Sequence, residues 1–126
     1  MRRFAAFQLP IILYAALILT VSSISRLPTP DLGITYLDKL AHFAEYFLFL
    51  VLMIRALTNR PLNLDGFPGY LLAVVFSIGF AAGDEYFQSF IPGRQSDIYD
   101  LLADSLGIIL GAILLFLIHK RKRSTS

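Results

Sequence analysis

Three short groups of ionisable residues interrupt the apolar runs of this 126-residue chain. They occupy stretches 38–46, 84–88 and 94–104, and the candidate site residues in them are Asp38, Lys39, His42, Glu45, Asp84, Glu85, Gln88, Arg94, Asp97, Asp100 and Asp104. A carboxylate or an ammonium group is costly in hydrocarbon, so apolar helices that carry them need a reason to keep them. If the three groups lie at one depth in a membrane, they form one polar site.

A histidine beside carboxylates has the composition of an acid–base pair or of a cation site. His42, Glu85 and Asp100 are the candidate catalytic residues, with His42 paired to one of the two carboxylates. Lys39 and Arg94 are candidates for binding a phosphate or carboxylate, since Arg94 follows a Pro-Gly turn and can make a two-pronged contact. The other candidate binding residues are Asp38, Glu45, Asp84, Gln88, Asp97 and Asp104.

The density of carboxylates has a further consequence. So many acids repel one another, so some must be protonated, paired with a base or bound to a cation. On this reasoning an amide in place of Glu85 or Asp100 should relieve repulsion and leave stability intact. The spacing of His42 and the acids also suits Mg²⁺, Mn²⁺ or Zn²⁺, although no metal-binding signature is present, and a divalent cofactor stays open.

Composition places these residues in a membrane protein. With 56% hydrophobic and 16% charged residues, a soluble domain of this size could not cover its apolar surface. Four segments are long enough to span a bilayer, at roughly 4–24, 41–57, 69–91 and 98–119. We predict an all-α four-helix transmembrane bundle formed by residues 1–119, with an uncleaved first helix, followed by a solvated basic tail at 120–126.

The basic residues give the bundle an orientation, because lysine and arginine collect on the cytoplasmic side. With both termini cytoplasmic, the inner side receives Arg2, Arg3, Arg55, Arg60, Lys120, Arg121, Lys122 and Arg123. The outer side receives Arg26, Lys39 and Arg94. This distribution predicts that all three polar groups lie near the outer surface. It also explains the basic tail through topology and anionic lipid, so no nucleic-acid partner is expected.

One face of each of the last three predicted helices carries the polar residues. These faces hold Asp38, His42 and Glu45, then Ser77, Ala81, Asp84 and Gln88, then Asp97, Asp100, Asp104, Gly107 and Gly111. At 100° per residue the first set spans about 60° and the last about 80°. Gly107 and Gly111 allow close helix packing, so the acids beside them should point into the bundle. The first helix is predicted to be a supporting wall.

Purely structural roles remain open for several of these residues. Asp38, Ser96 and Asp97 can cap helices, and Lys39 and Arg94 can neutralise acids or contact lipid headgroups. Tyrosines near the helix ends fit an aromatic belt at the membrane surface. They are Tyr36, Tyr46, Tyr70, Tyr86 and Tyr99.

The ordered set of motifs resembles the VanZ-like family of small bacterial membrane proteins. The resemblance lies in Asp38-Lys39-x-x-His42, Asp84-Glu85-x-x-Gln88, Pro92-Gly93-Arg94-x-x-Asp97-x-x-Asp100 and Gly107-x-x-x-Gly111. It implies a multi-pass protein of the bacterial inner membrane and a link to glycopeptide resistance, in particular to teicoplanin. One departure is Asp104, where the family pattern usually has Asn, and this adds a possible charge to the site.

Three kinds of function are compatible with these features. The leading hypothesis is that the protein binds, or acts on, a cell-envelope lipid or cell-wall precursor at the outer leaflet. The second is a non-catalytic accessory protein that modulates a partner envelope enzyme. The third, an ion or proton translocator, is disfavoured because the inner halves of the predicted helices are nearly free of polar residues. Enzyme and binder are not separated by the sequence.

Overall fold

The computed structural model describes residues 1–24, 35–59, 61–94 and 96–124, and regular structure in these ranges is helical throughout. The helices are α1 (Arg2–Phe7), α2 (Leu9–Ser22), α3 (Thr35–Thr58), α4 (Phe67–Gln88) and α5 (Ile98–Ser124). The predicted all-α class is therefore confirmed. Residues 25–34, among them Arg26, lie outside the described residues, as do Arg60, Gln95 and residues 125–126.

Three helices, α3, α4 and α5, are long and apolar enough to cross a bilayer. The first predicted span differs, because the helix is interrupted at Gln8 and resumes as the 14-residue α2. Pro10 lies at the start of α2, where its missing N–H group weakens continuity with the preceding turn. Alone, α2 is only about 21 Å long, shorter than the hydrocarbon core of a bilayer.

The helix ends also differ from those predicted. α3 begins at Thr35 rather than at residue 41, so Asp38 and Lys39 lie within the helix, and an N-cap role for Asp38 is wrong. α4 covers Phe67–Gln88 rather than 69–91. α5 continues to Ser124, and residues 120–123 are its last turn rather than a separate tail. Basic side chains near a helix C-terminus stabilise it, which favours this extension.

α3 lies at the centre of the fold and contacts each of the other helices. Its buried aromatic residues form the middle of the core, where the rings of Phe49 and Phe80 stack with centroids 4.6 Å apart. Tyr46 and Leu50 are also almost fully buried there. A central α3 means that polar residues on its first turns can be reached from both α4 and α5.

α5 packs against α3 through its two small residues, as predicted. A Cβ atom at Gly107 would meet the backbone carbonyl of Phe43, and one at Gly111 would lie 2.9 Å from the ring of Phe47. Both glycines are buried. This close approach brings the acidic first turns of α5 against the first turns of α3.

The outward face of α5 is apolar. Leu110, Ile113, Leu114 and Leu117 are each about half exposed, as expected for side chains that face lipid. The polar residues of the same helix, Asp100 and Asp104, are on its buried side.

Candidate functional site

The polar residues of α3, α4 and α5 meet at one end of the bundle. We call this group the polar cluster, and it contains Asp38, Lys39, His42, Glu45, Asp84, Glu85, Gln88, Arg94, Asp97, Asp100 and Asp104 together with Ser22 and Tyr46. His42, Asp84, Glu85, Gln88, Asp100 and Asp104 are each less than a tenth exposed. The antiparallel order of the helices explains the meeting, since α3 starts, α4 ends and α5 starts at this end.

His42 and Lys39 of α3 contact the acids of α5. The Nδ1 atom of His42 lies 3.0 Å from Asp104 Oδ1, and its Nε2 atom lies 3.7 Å from Asp100 Oδ2. The Lys39 ammonium donates to Asp97 Oδ2 at 2.7 Å and also to Asp100 Oδ1. Lys39 therefore neutralises neighbouring acids, and the acid at 104 holds the imidazole of His42 in place.

A second network surrounds Asp84 of α4. Its Oδ2 atom accepts hydrogen bonds from Ser22 Oγ at 2.9 Å, from Gln88 Nε2 at 3.1 Å and from the Tyr46 hydroxyl at 3.3 Å. Gln88 Nε2 also donates to Ser22 Oγ at 3.2 Å. These four residues are buried, and they join α2, α3 and α4 around one carboxylate oxygen.

Sequence reasoning missed two members of this second network. The sequence predicts that Tyr46 belongs to an aromatic belt, but only 1% of its surface is exposed. Its position four residues after His42 places it on the same face of α3, which was the available signal. Ser22 lies in the segment predicted to be a supporting wall, and a hydroxyl at the end of an apolar helix gives no such signal. The first segment thus contributes directly to the cluster.

The turn between α4 and α5 ties the cluster to α2. Glu85 Oε1 accepts a hydrogen bond from the backbone N–H of Asp97 at 2.5 Å. Arg94 Nη1 donates to the carbonyl oxygens of Val21 at 3.2 Å and Ser22 at 2.8 Å. Arg94 therefore caps the C-terminus of α2, where carbonyl groups lack helical partners.

Asp97 precedes α5 and caps its first turn, which is the structural role that the sequence allowed for it. Its Oδ1 atom accepts a hydrogen bond from the backbone N–H of Tyr99 at 2.9 Å. The hydrogen bond from Lys39 lowers the pKa of the Asp97 carboxyl below its usual value, and the Tyr99 N–H acts in the same direction.

Glu45 and Asp38 complete the acidic side of α3. Glu45 is half-buried, one turn after His42, and its backbone carbonyl accepts a hydrogen bond from the Tyr14 hydroxyl at 3.2 Å. Each of Asp38, His42 and Asp100 offers one ligand atom, and the three atoms lie within 4.8 Å of one another. Nitrogen and oxygen donors of this kind fit Zn²⁺ or Mn²⁺, but the Lys39 ammonium on Asp100 opposes a cation there.

Two carboxylate oxygens of α4 stand apart from these contacts. Within the described ranges, Asp84 Oδ1 and Glu85 Oε2 are buried and have no hydrogen-bond partner. A buried carboxylate oxygen needs a donor, a proton or a cation nearby. Because Lys39 and Arg94 already hold protein acceptors, what these oxygens require is a proton, a hydrogen-bond donor or a positive charge from elsewhere.

Two comparisons with known proteins found similar sequences. The model of the VanZ/LLP1 family matches residues 4–119, nearly the whole chain. The chain belongs to the VanZ/LLP1 family. It is also 30% identical over 95 residues to an uncharacterised protein of the yeast Schizosaccharomyces pombe. That match covers 74% of this chain and 55% of the yeast protein, so the chain spans about half the length of that relative. No solved structure matches the chain.

Proposed function

We propose that the protein crosses the bacterial inner membrane four times, with both termini in the cytoplasm and the polar cluster at the outer surface. Together α1 and α2 cover residues 2–22, about 31 Å of helix and enough for one crossing. The basic residues at 2, 3, 55 and 120–123 would then be cytoplasmic.

Cysteine labelling tests this orientation, since the chain has no native cysteine. Ser96→Cys, in the exposed turn before α5, should react with a membrane-impermeant maleimide added to intact cells. Leu62→Cys, in the exposed turn between α3 and α4, should react only after the membrane is opened. The opposite pattern would place the polar cluster on the cytoplasmic side and end the proposal of an outer-leaflet site.

We further propose that the polar cluster binds a cell-envelope lipid or a lipid-linked cell-wall precursor through the hydroxyl or amine groups of that molecule. The observation that carries this is the pair of buried, unpartnered oxygens on Asp84 and Glu85. The cluster contains seven acids against Lys39 and Arg94, so donors and positive charge are the complementary chemistry. Envelope molecules that present sugars or amino groups supply both.

Ligand binding and its cellular consequence can be measured together. Asp84→Asn and Glu85→Gln should reduce the lipid or precursor that copurifies with the protein, detected by native mass spectrometry. If the family's link to glycopeptides extends to this chain, the same variants should lose any shift in teicoplanin susceptibility that the wild type confers on a bacterial host. Ser89→Ala is the control, because it removes an exposed hydroxyl just after α4 that bonds only to the Tyr86 carbonyl and lies outside the polar cluster. Stable Asp84→Asn and Glu85→Gln variants with undiminished ligand would refute the proposal.

One observation favours catalysis as a second candidate. Asp104 holds Nδ1 of His42 at 3.0 Å, which fixes the ring and leaves Nε2 on the side of Asp100. A carboxylate-oriented imidazole is the arrangement used to accept and return a proton. A catalytic His42 predicts that His42→Gln retains the copurifying ligand but abolishes its conversion. If His42→Gln changes neither binding nor phenotype, the protein is a binder or an accessory to a partner enzyme.

A further inference from the structure

A second site lies at the end of the bundle opposite the polar cluster, in a cavity of 440 Å³. We call it the basic cavity. Its walls are the end of α3, the turn that follows, the first residues of α4 and the last turns of α5. The volume is within the range of about 300–1,000 Å³ that small-molecule sites occupy. About 30 Å of α5 separates it from Asp100, so the two sites are distinct.

Aromatic side chains form one wall of the basic cavity. The ring of Tyr70 meets Phe116 edge to face, with centroids 5.4 Å apart, and the ring of Phe67 also meets Phe116 edge to face, at 6.4 Å. Tyr70 is buried, and its hydroxyl is hydrogen-bonded to Nδ1 of His119. When Tyr70 donates in this bond, the His119 ring keeps its own hydrogen at Nε2, as a donor.

The rim of the basic cavity carries the charge. Lys120 and Arg123 line it from the last turn of α5, and Asp65 lines it from the turn before α4. Two permanent positive charges against one negative charge favour an anion, and a guanidinium beside an ammonium group suits a phosphate. α4 begins at Phe67 on the same wall, so the positive end of its dipole adds to this preference.

The surroundings of the basic cavity indicate that the phosphate it binds belongs to a lipid. Phe67 is 63% exposed beside it, and the exposed apolar residues Leu117 and Ile118 precede the basic turn of α5. An apolar surface that ends at a basic rim matches a lipid, whose acyl chains follow the helices while its headgroup meets the cations.

From this juxtaposition we infer that the basic cavity seats the phosphate group of an anionic membrane lipid, held by Lys120 and Arg123 and packed against Tyr70 and Phe116. This inference is independent of the function proposed for the polar cluster. It also differs from general attraction of a basic segment to an anionic membrane, because only two of the four consecutive basic residues line the cavity.

Native mass spectrometry of the full chain from nanodiscs provides the test, with phosphatidylcholine alone or with added phosphatidic acid. The wild type should retain one phosphatidic acid, and Arg123→Gln should weaken that retention about tenfold, the loss expected for one charge-assisted contact. Lys122→Gln is the charge-matched control, since Lys122 lies in the same turn outside the cavity wall, and it should have a much smaller effect. Asp65→Asn should strengthen retention, because it removes the one acid on the rim.

Three outcomes would contradict the binding of a lipid phosphate in the basic cavity. Equal losses in Arg123→Gln and Lys122→Gln would show that the charge of the helix end, and not the cavity, holds the lipid. Displacement of the phosphatidic acid by millimolar inorganic phosphate would overturn the assignment to a lipid, because a free phosphate would then suffice. Unchanged retention in both Arg123→Gln and Lys120→Gln would remove the site altogether.

Discussion

The two ends of the bundle differ in how their charged side chains are partnered. At the polar cluster, buried acids from α4 and α5 are bonded to Lys39, His42 and Ser22, so that most polar atoms there have a partner inside the protein. At the basic cavity, Lys120 and Arg123 are exposed and surround an open space. One end is a packed network and the other is a receptacle.

This difference predicts different consequences of mutation. In a packed network, removal of a group that is bonded to another strands its partner in a medium of low dielectric constant, so the fold is destabilised. The unpartnered oxygens of Asp84 and Glu85 are the exception, because no protein group depends on them. At a receptacle, removal of one group changes what is bound while the fold persists. Variants at the two ends should therefore separate effects on stability from effects on ligand binding. The predictions below run from the largest expected effect to the smallest.

The largest effect is expected from Asp100→Asn. The substitution takes a negative charge from Lys39, whose ammonium contacts Asp100, and from Nε2 of His42. Lys39 is a quarter exposed, so the cost in the free energy of unfolding should be about 2–4 kcal/mol, near the lower end for a fully buried pair. Reversible unfolding in mixed micelles measures it.

Glu85→Gln is the matched comparison within the polar cluster. The amide keeps an oxygen for the backbone N–H of Asp97, and no cation is left without its partner, so the change should stay below about 1 kcal/mol. Sequence reasoning expected both amide substitutions to be harmless. Equal, small costs for the two variants would restore that expectation and contradict a packed ion-pair network.

A smaller effect is expected where α3 and α5 touch. Gly107→Ala places a Cβ atom against the backbone carbonyl of Phe43, and a backbone atom cannot move aside without moving the helix. The cost should be about 1–3 kcal/mol, typical of overpacking. Gly79→Ala is the control, since nothing lies within 4 Å of its added Cβ atom, and it should be neutral or stabilising. If Gly79→Ala is as harmful as Gly107→Ala, close packing of α5 does not explain the cost.

Much of the fold followed from the sequence because helical periodicity and small-residue spacing are local signals. The buried stripe of Ser77, Ala81, Asp84 and Gln88 is present on α4 as predicted. The break at Gln8 was not predicted because the residues before and after it are equally apolar. Pro10 did not indicate a break either, because proline is common in the first turn of a helix. The start of α3 was placed too late because the apolar run begins only at residue 41, and the end of α5 was placed too early because no glycine or proline follows it.

For the polar cluster, composition identified the residues but not their pairing. The sequence placed His42 with Glu85 or Asp100, and Nε2 does lie 3.7 Å from Asp100 Oδ2, but the shorter contact, 3.0 Å at Nδ1, is with Asp104. Pairing across helices depends on their rotation and separation, which a single helix face does not encode. The basic cavity was not predicted at all, because a hollow arises from the shape of three chain segments together and has no sequence signature.

Independence of the two ends is the next prediction. Arg123→Gln alters an exposed side chain and should change the free energy of unfolding by less than about 0.5 kcal/mol. Combined with Asp100→Asn, the two effects should add to within about 0.5 kcal/mol, as for distant sites without shared partners. A larger coupling energy in this double-mutant cycle would mean that the receptacle and the network are one cooperative unit.

The smallest effect concerns the exposed edge of the polar cluster, where Lys39 meets Asp97. Since the pKa of the Asp97 carboxyl is lowered in the folded protein, its contribution to stability is present above its ordinary value of 3.8 and is lost as the pH falls through the depressed value. The melting temperatures of the wild type and Asp97→Asn should therefore differ at pH 6 and converge towards pH 3. In a Lys39→Gln background the difference at pH 6 should shrink but persist, because the backbone N–H of Tyr99 still donates to Asp97. A difference unaffected by Lys39→Gln would assign the stabilisation to helix capping alone and remove Lys39 from the network at this edge.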